Sequence, residues 1–200
     1  MMPRIKWVGM IRDIDIFQTG VLPKNAIQLR MPRDLNGMMT TALPFVLPPA
    51  LLCCGSVFLK TLLVHHRQIR PLWIAVGALA GLLFIFLHEL LHAIVYPKGA
   101  YVYIGIVPGV FAAVALASHP MRRGRFLLMT LLPAVLGIIP LVLFWLLPKD
   151  TVVLNSIVFG LAVMGLVLPY TDYYTAYQVL RQTPKECFVQ NEKDDVYYFE

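Results

Sequence analysis

Long apolar runs separated by short polar segments dominate the chain from residue 38 onward. Four of these runs approach or exceed the roughly 20 residues that a helix needs to cross a hydrocarbon core of about 30 Å. The predicted spans cover residues 38–64, 72–96 and 125–147, and a fourth runs from residue 152 to beyond Asp172. The pattern therefore predicts an all-α membrane protein, a bundle of about four transmembrane helices.

A different pattern separates the second and third spans. β-Branched and aromatic residues fill positions 101–107, Pro108-Gly109 interrupts them, and a second apolar run covers 110–117. Two short apolar runs around Pro-Gly are typical of a β-hairpin, with a re-entrant helix as the competing interpretation. We expect a short β-hairpin-like insertion, whose edge would either pair with an extended substrate segment or serve as a buried connector.

The polar segments divide the chain into an N-terminal segment at residues 1–37, a transmembrane domain at 38–181 and a C-terminal tail at 182–200. The composition agrees with this organisation, since 58% of residues are hydrophobic, 14% are charged and the mean hydropathy is +0.71. A soluble domain of this size needs more charge to cover its surface.

The distribution of basic residues predicts an orientation in the membrane. The net charge is +6, and the basic residues are scattered at the ends of apolar runs. This placement suits lipid headgroups better than a phosphate backbone, so we expect no nucleic-acid partner. Thirteen of the 17 Lys and Arg residues lie in the terminal segments and in the loop after the second span, when Arg125 and Arg181 at the ends of the adjoining spans are included. Because cytoplasmic loops are enriched in Lys and Arg, both termini are predicted to be cytoplasmic, in a multi-pass protein of the cell membrane.

The second span contains the sequence HELLH at residues 88–92, an H-E-x-x-H motif. On a helix, His88 and His92 lie on one face, so both imidazoles can bind the same ion. Zinc suits neutral imidazole nitrogens and keeps a position for water when three protein ligands are present. Glu89 can take a proton from that water and return it to a leaving amine. The alternative is that the motif only forms hydrogen bonds to neighbouring helices, but ionisable groups inside a span are usually functional.

A third protein ligand is expected, because two histidines alone hold zinc poorly. Asp172 fits, since helical rise places it within about a turn of the depth of His88 near the cytoplasmic edge. The alternative is a surface carboxylate held by water or by Arg181. We therefore predict one zinc ion per chain, held by His88, His92 and Asp172, with Glu89 as the catalytic general base.

At these residues the chain resembles a bacterial family of zincin peptidases that is catalogued as a domain of unknown function. More distantly it is similar to the site-2 proteases, intramembrane zinc metalloproteases that cleave transmembrane substrates. The likeness covers nearly the whole chain, but its specific content is HELLH and Asp172 within positions 170–174. The resemblance implies that His88, His92 and Asp172 ligate zinc and that Glu89 acts as the general base.

Together these features predict an intramembrane zinc metallopeptidase that hydrolyses peptide bonds of membrane-embedded or membrane-adjacent proteins. Its partners would be the lipid bilayer and a membrane-protein substrate, with a homodimer as one option. The alternative is a non-catalytic membrane protein with a structural or substrate-capturing metal site. A transporter is a weaker alternative, because the chain has no obvious pair of similar halves with matched broken helices.

Overall fold

The computed structural model describes residues 2–108, 112–193 and 195–200. The chain forms two compact units, each built from separate parts of the sequence. Unit 1 comprises Met1–Thr41, Phe86–Leu132 and Asp172–Glu200, and unit 2 comprises Ala42–Ile85 and Pro133–Thr171. All four residues of the predicted site belong to unit 1.

Helices make up most of the regular structure. The α-helices among the described residues are α1 (Leu35–Ala42), α2 (Leu47–Val64), α3 (Pro71–Gly81), α4 (Phe84–Val95), α5 (Arg123–Leu131), α6 (Val135–Leu146), α7 (Val152–Val167) and α8 (Tyr170–Gln182). Prolines occupy the first turns of α2 and α3, where a missing N–H costs no hydrogen bond. A 3-10 turn that contains Pro133 separates α5 from α6.

Within the described residues, three stretches are long and apolar enough to cross a membrane, namely Leu35–Val64, Arg123–Leu146 and Val152–Gln182. A fourth qualifies if α3 and α4 are counted as one span, although they are bent by 44°. The bend follows Gly81, the last residue of α3, and glycine weakens a helix because it is conformationally permissive. The sequence predicted an uninterrupted second span, and the structure divides it at this point.

Two β-sheets accompany the helices in the part of the chain that the structure describes. Their strands are β1 (Arg4–Met10), β2 (Ile27–Gln28), β3 (Tyr101–Val107), β4 (Ala112–Leu116), β5 (Met121–Arg122), β6 (Phe188–Glu192) and β7 (Asp195–Phe199). One sheet has the strand order β1-β3-β4 and the other has the order β2-β7-β6-β5. Strand β1 runs parallel to β3, and the remaining pairs are antiparallel.

The β3–β4 pair is the hairpin that the sequence predicts, with Tyr103 opposite Leu116 and Ile106 opposite Ala113. Residues 109–111, at the predicted turn, lie outside the described residues. The prediction of an all-α protein with one hairpin was too narrow, because strands also form in the N-terminal segment and the C-terminal tail. Strands β1 and β2 pair with segments that are distant in sequence, whereas β6 and β7 are adjacent in sequence and pair with each other.

The core of unit 1 joins both sheets to three helices. One cluster of buried side chains contains Ala93 of α4, Val102 of β3, Met121 of β5, Phe126 of α5, Val179 of α8 and Val189 of β6. Apolar burial at one shared core stabilises all of these elements together. Helices α4 and α8, which carry the predicted metal ligands, are therefore held by the same packing.

Unit 2 is helical, and glycines allow its helices to approach closely. A Cβ atom on Gly77 of α3 would collide with the carbonyl group of Ile157 of α7, and one on Gly160 of α7 would collide with the backbone of α3. Gly137 of α6 and Gly165 of α7 make a similar approach. Small residues at helix contacts are typical of membrane proteins, where van der Waals packing drives association.

A buried lysine is the main polar feature of unit 2. The side chain of Lys60 in α2 donates hydrogen bonds to the carbonyl oxygens of Phe144 and Leu147 and to the side-chain oxygen of Asn155. Its Nζ also lies 4.4 Å from the centroid of the Phe144 ring. The ammonium group thus caps the last turn of α6, where carbonyl groups lack helical partners.

Candidate metal centre

Helix α4 carries the H-E-x-x-H motif on its inward face. The rings of His88 and His92 lie one turn apart with their centroids separated by 4.6 Å. Glu89 and His92 are buried, whereas their neighbours Leu87 and Leu90 on the same helix are exposed. This polar-inside, apolar-outside arrangement is the reverse of that on a soluble surface helix, and it suits a helix that faces lipid.

Asp172 lies in the first turn of α8. Pro169 stands between the end of α7 and the start of α8, where its missing N–H interrupts the helical hydrogen bonds. The restart gives Asp172 a position at a helix N-terminus, where a carboxylate interacts favourably with the helix dipole. The proline therefore contributes to placing the acid side chain where the sequence predicted it.

The structure brings the three predicted ligands together. His88 Nε2 lies 3.0 Å from His92 Nε2 and 3.1 Å from Asp172 Oδ2, and His92 Nε2 lies 3.5 Å from the same oxygen. Ligand atoms at about 2.0–2.1 Å from a tetrahedral zinc ion are about 3.3–3.4 Å apart. The observed triangle therefore has close to the size that this ion requires.

A backbone carbonyl fixes the tautomer of one ligand. His92 Nδ1 lies 2.8 Å from the carbonyl oxygen of Met129 in α5. A carbonyl oxygen can only accept, so Nδ1 must carry a proton, and the Nε2 of a neutral ring then presents its lone pair to the other two ligand atoms. Such a hydrogen bond behind a metal-binding histidine orients the ring and raises its basicity.

The two imidazole nitrogens and the carboxylate oxygen that face one another here are atoms that bind cations. Asp172 Oδ2 is buried and accepts no hydrogen bond of favourable geometry among the described residues, despite its short distances to both rings. A buried carboxylate oxygen and a ring lone pair facing one point repel each other unless a positive charge lies between them. Two imidazole nitrogens and one carboxylate oxygen suit zinc.

Glu89 lies beside this triangle without belonging to it. Its Oε1 is 3.7 Å from His88 Nε2, which is longer than a hydrogen bond. The backbone N–H of Ala115 in β4 faces the Glu89 carboxylate. The motif therefore lies against the β3–β4 hairpin.

His88, His92 and Asp172 form a group that could hold a metal ion, with two of the three side chains from the H-E-x-x-H sequence and the third from a separate helix. A family model described as "Putative zincin peptidase" (DUF3267) matches residues 81–188, which is more than half of the chain and includes all four predicted site residues. The chain belongs to this family, and the family implies zinc as the metal. No curated protein and no solved structure gives a significant match to the chain.

The remaining histidines lie outside the group of potential metal ligands in the described part of the chain. These are His65, His66 and His119, and His119 Nδ1 instead contacts the carbonyl oxygen of its neighbour Pro120. Sequence reasoning missed the contributions of Met129 and Ala115. Both act through main-chain atoms, which any residue supplies, so no side-chain pattern could have identified them.

Proposed function

We propose that this chain is an intramembrane zinc metallopeptidase that cleaves membrane-embedded or membrane-adjacent proteins. The observation that carries the proposal is the convergence of His88, His92 and Asp172 with Glu89 beside them. All four belong to helices that are apolar enough to lie in a bilayer. Membership of a zincin peptidase family supports the same reaction class.

In this proposal Glu89 is the general base. A bound zinc ion would make a water molecule more acidic and polarise the scissile carbonyl group. Glu89 accepts a proton from the attacking water and delivers it to the departing amine nitrogen. Its burial restricts the movement of the carboxylate, so the proton moves over a short path.

The edge of β4 offers a way to hold the substrate. Strand β4 is at the end of its sheet among the described residues, and the Ala115 N–H faces Glu89. In an antiparallel strand, alternate residues direct their N–H and C=O groups to the same side, so Ala113 shares this free edge. An unwound substrate segment could pair there by β-augmentation and present its peptide bond beside Glu89.

The membrane placement belongs to the same proposal. Three apolar spans and the bent α3–α4 pair would make four crossings, with both termini in the cytoplasm by the distribution of Lys and Arg. The C-terminal ends of α4 and the site would then lie near the cytoplasmic surface, where water can reach the metal.

The test combines metal analysis with a substitution of the base. The purified protein in detergent should contain about one zinc ion per chain, and Glu89→Gln should keep the metal. In proteoliposomes with a panel of model transmembrane peptides, mass spectrometry should detect cleavage products for the wild type. Glu89→Gln should reduce their rate by about 10²–10⁴-fold. A folded wild-type protein that takes up no zinc would contradict the proposal.

A second candidate is a non-catalytic protein in which the metal stabilises the fold. The observation that favours it is that the ligands come from two helices, α4 and α8, which an ion would cross-link. Under this alternative, His88→Ala lowers the melting temperature and Glu89→Gln leaves every cellular phenotype unchanged. Peptide cleavage that depends on Glu89 would exclude it.

A further inference from the structure

Helix α5 contacts both helices that carry the predicted metal ligands. Three of its groups take part: the side chains of Arg123 and Arg125 and the backbone carbonyl of Met129. On a helix, residues two positions apart point in nearly opposite directions, because each residue turns the chain by about 100°. Arg123 and Arg125 can therefore reach different neighbours from one short helix.

Arg125 binds the end of α4. Its Nε donates to the carbonyl oxygen of Val95 at 2.6 Å, and its Nη2 donates to that of Tyr96 at 3.0 Å. The last carbonyl groups of a helix have no helical partners and attract a cation. His92 lies one turn before this cap, so the two hydrogen bonds fix the end of the segment that bears the metal-binding imidazoles.

Arg123 binds the end of α8 in the same way. Its Nη2 donates to the carbonyl oxygen of Leu180 at 3.1 Å, and its Nε donates to the hydroxyl oxygen of Thr183 at 3.0 Å. That hydroxyl donates in turn to the carbonyl oxygen of Val179 at 2.7 Å. Helix α8 carries Asp172, so these hydrogen bonds fix the end of the helix that bears the third predicted ligand.

The position of these arginines is not explained by the stability of α5 itself. Both lie in its first turn, which contains no acidic residue, and a positive charge there opposes the helix dipole. The preference for basic residues at the cytoplasmic side of a membrane requires only charge, which lysine supplies equally well. The paired hydrogen bonds, by contrast, come from two different nitrogens of one planar guanidinium, whereas lysine has a single donor atom on a flexible side chain.

We propose that Arg123 and Arg125 are positioning residues that hold α4 and α8 at the separation the metal ligands require. Ligand distances must be kept within about 0.2 Å for a metal site, and the ligands here come from two helices with no covalent link nearby. Met129 of the same helix acts with them, because its carbonyl group orients the His92 ring. We call Arg123, Arg125 and Met129 together the clamp. The inference rests on the proposed metal centre, but not on peptidase activity.

Lysine substitutions test the clamp while preserving charge and membrane topology. Zinc affinity of Arg123→Lys and Arg125→Lys would be measured by competition with a chromophoric chelator, beside Arg122→Lys as the matched control. Arg122 is the neighbouring residue, and its side chain is exposed. We expect affinity to fall about tenfold for Arg125→Lys, somewhat less for Arg123→Lys, and not at all for Arg122→Lys. The absorption spectrum of the cobalt-loaded protein should change in the same order.

A second measurement does not depend on metal. Spin labels at the exposed positions Ile94 of α4 and Tyr177 of α8, with the three cysteines replaced by serine, report the distance between the two helices. The distance distribution should broaden in Arg123→Lys and Arg125→Lys and stay narrow in Arg122→Lys. Unchanged zinc affinity and unchanged distances would overturn the inference, even if the melting temperature fell. If the wild type binds no zinc, the proposed function fails, and the distance widths alone decide whether the clamp exists.

Discussion

Different interactions hold the helices together in the two units of this protein. In unit 2, glycines at 77, 137, 160 and 165 let backbones touch, and Lys60 supplies the main buried charge. In unit 1, arginine caps, ring-to-carbonyl hydrogen bonds and two sheets fix α4 and α8. Every ion pair found among the described residues lies in unit 1.

The difference predicts which kind of substitution each unit tolerates. Apolar helices are held by the shape of their surfaces, so volume is the sensitive quantity in unit 2. A metal centre is held by directed polar contacts, so chemical identity is the sensitive quantity in unit 1. Substitutions of each kind should therefore fail in different ways, one by loss of folding and the other by loss of metal.

The largest effect is expected for Asp172→Ala in unit 1. Removal of one of three protein ligands should weaken zinc binding by at least about 100-fold, because loss of a partner behind a ligand already costs about 10- to 100-fold. The metal-free protein should melt at nearly the wild-type temperature. Isothermal titration and circular dichroism in detergent provide the two measurements.

Asp150→Ala is the control for that experiment, since it removes an acidic side chain from the loop between α6 and α7. Its zinc affinity should equal that of the wild type. Retention of full zinc affinity by Asp172→Ala would remove α8 from the metal centre and end the distinction between the two units.

The next effect is expected for Gly160→Leu in unit 2. The new side chain would meet the backbone of α3, which cannot move aside as a flexible side chain can. Overpacking of this kind costs about 1–3 kcal/mol, and we expect the upper end of the range. Thermal melting followed by circular dichroism would report it.

Gly55→Leu offers a matched control in α2. A Cβ atom at Gly55 would meet no heavy atom within 4 Å, so the same substitution should be tolerated there. Equal melting temperatures for Gly160→Leu and the wild type would show that shape complementarity does not determine the stability of unit 2.

A somewhat smaller loss is expected for Lys60→Met. The substitution keeps the length of the side chain but leaves the carbonyl groups at the end of α6 and the oxygen of Asn155 without their donor. We expect a cost of about 2 kcal/mol, since buried acceptors that lose a charged partner are not rehydrated in an apolar setting. Lys98→Met, at an exposed lysine, provides the control in the same melting experiment.

The smallest effect is expected for Arg33→Ala in unit 1. Its Nε lies 3.8 Å from Asp195, but the Arg33 side chain is 74% exposed. Exposed ion pairs contribute about 0–1 kcal/mol, so the melting temperature should hardly change. A loss comparable to that of Lys60→Met would show that surface charge, and not only the metal centre and its caps, stabilises unit 1.

The site was largely predictable from sequence, whereas much of its support was not. The i, i+4 spacing of His88 and His92 and the depth of Asp172 were sufficient to predict which side chains meet. The roles of these residues as zinc ligands and of Glu89 as base stay predictions. Met129 and Ala115 contribute main-chain groups, so their positions depend on tertiary packing that periodicity cannot reveal.

The sheets were harder to predict than the spans. A transmembrane helix satisfies its own hydrogen bonds, so its apolar length is enough to identify it. Strands such as β1 and β2 gain stability only from partners elsewhere, and β2 has just two residues. The bend after Gly81 was also missed, because an apolar run gives no sign of where its helix breaks.

The parallel pairing of β1 with β3 has a consequence for biosynthesis. Arg4 lies beside Tyr101, 97 residues further along the chain. At about 5–20 residues per second, a ribosome needs about 5–20 s to make that intervening length. Strand β1 therefore stays unpaired until β3 has been synthesised, which happens after α4 with its H-E-x-x-H motif has been made. During this interval β1 lacks its partner strand, and α5, α8 and strands β5, β6 and β7 of unit 1 are made only after the β1–β3 pair can form.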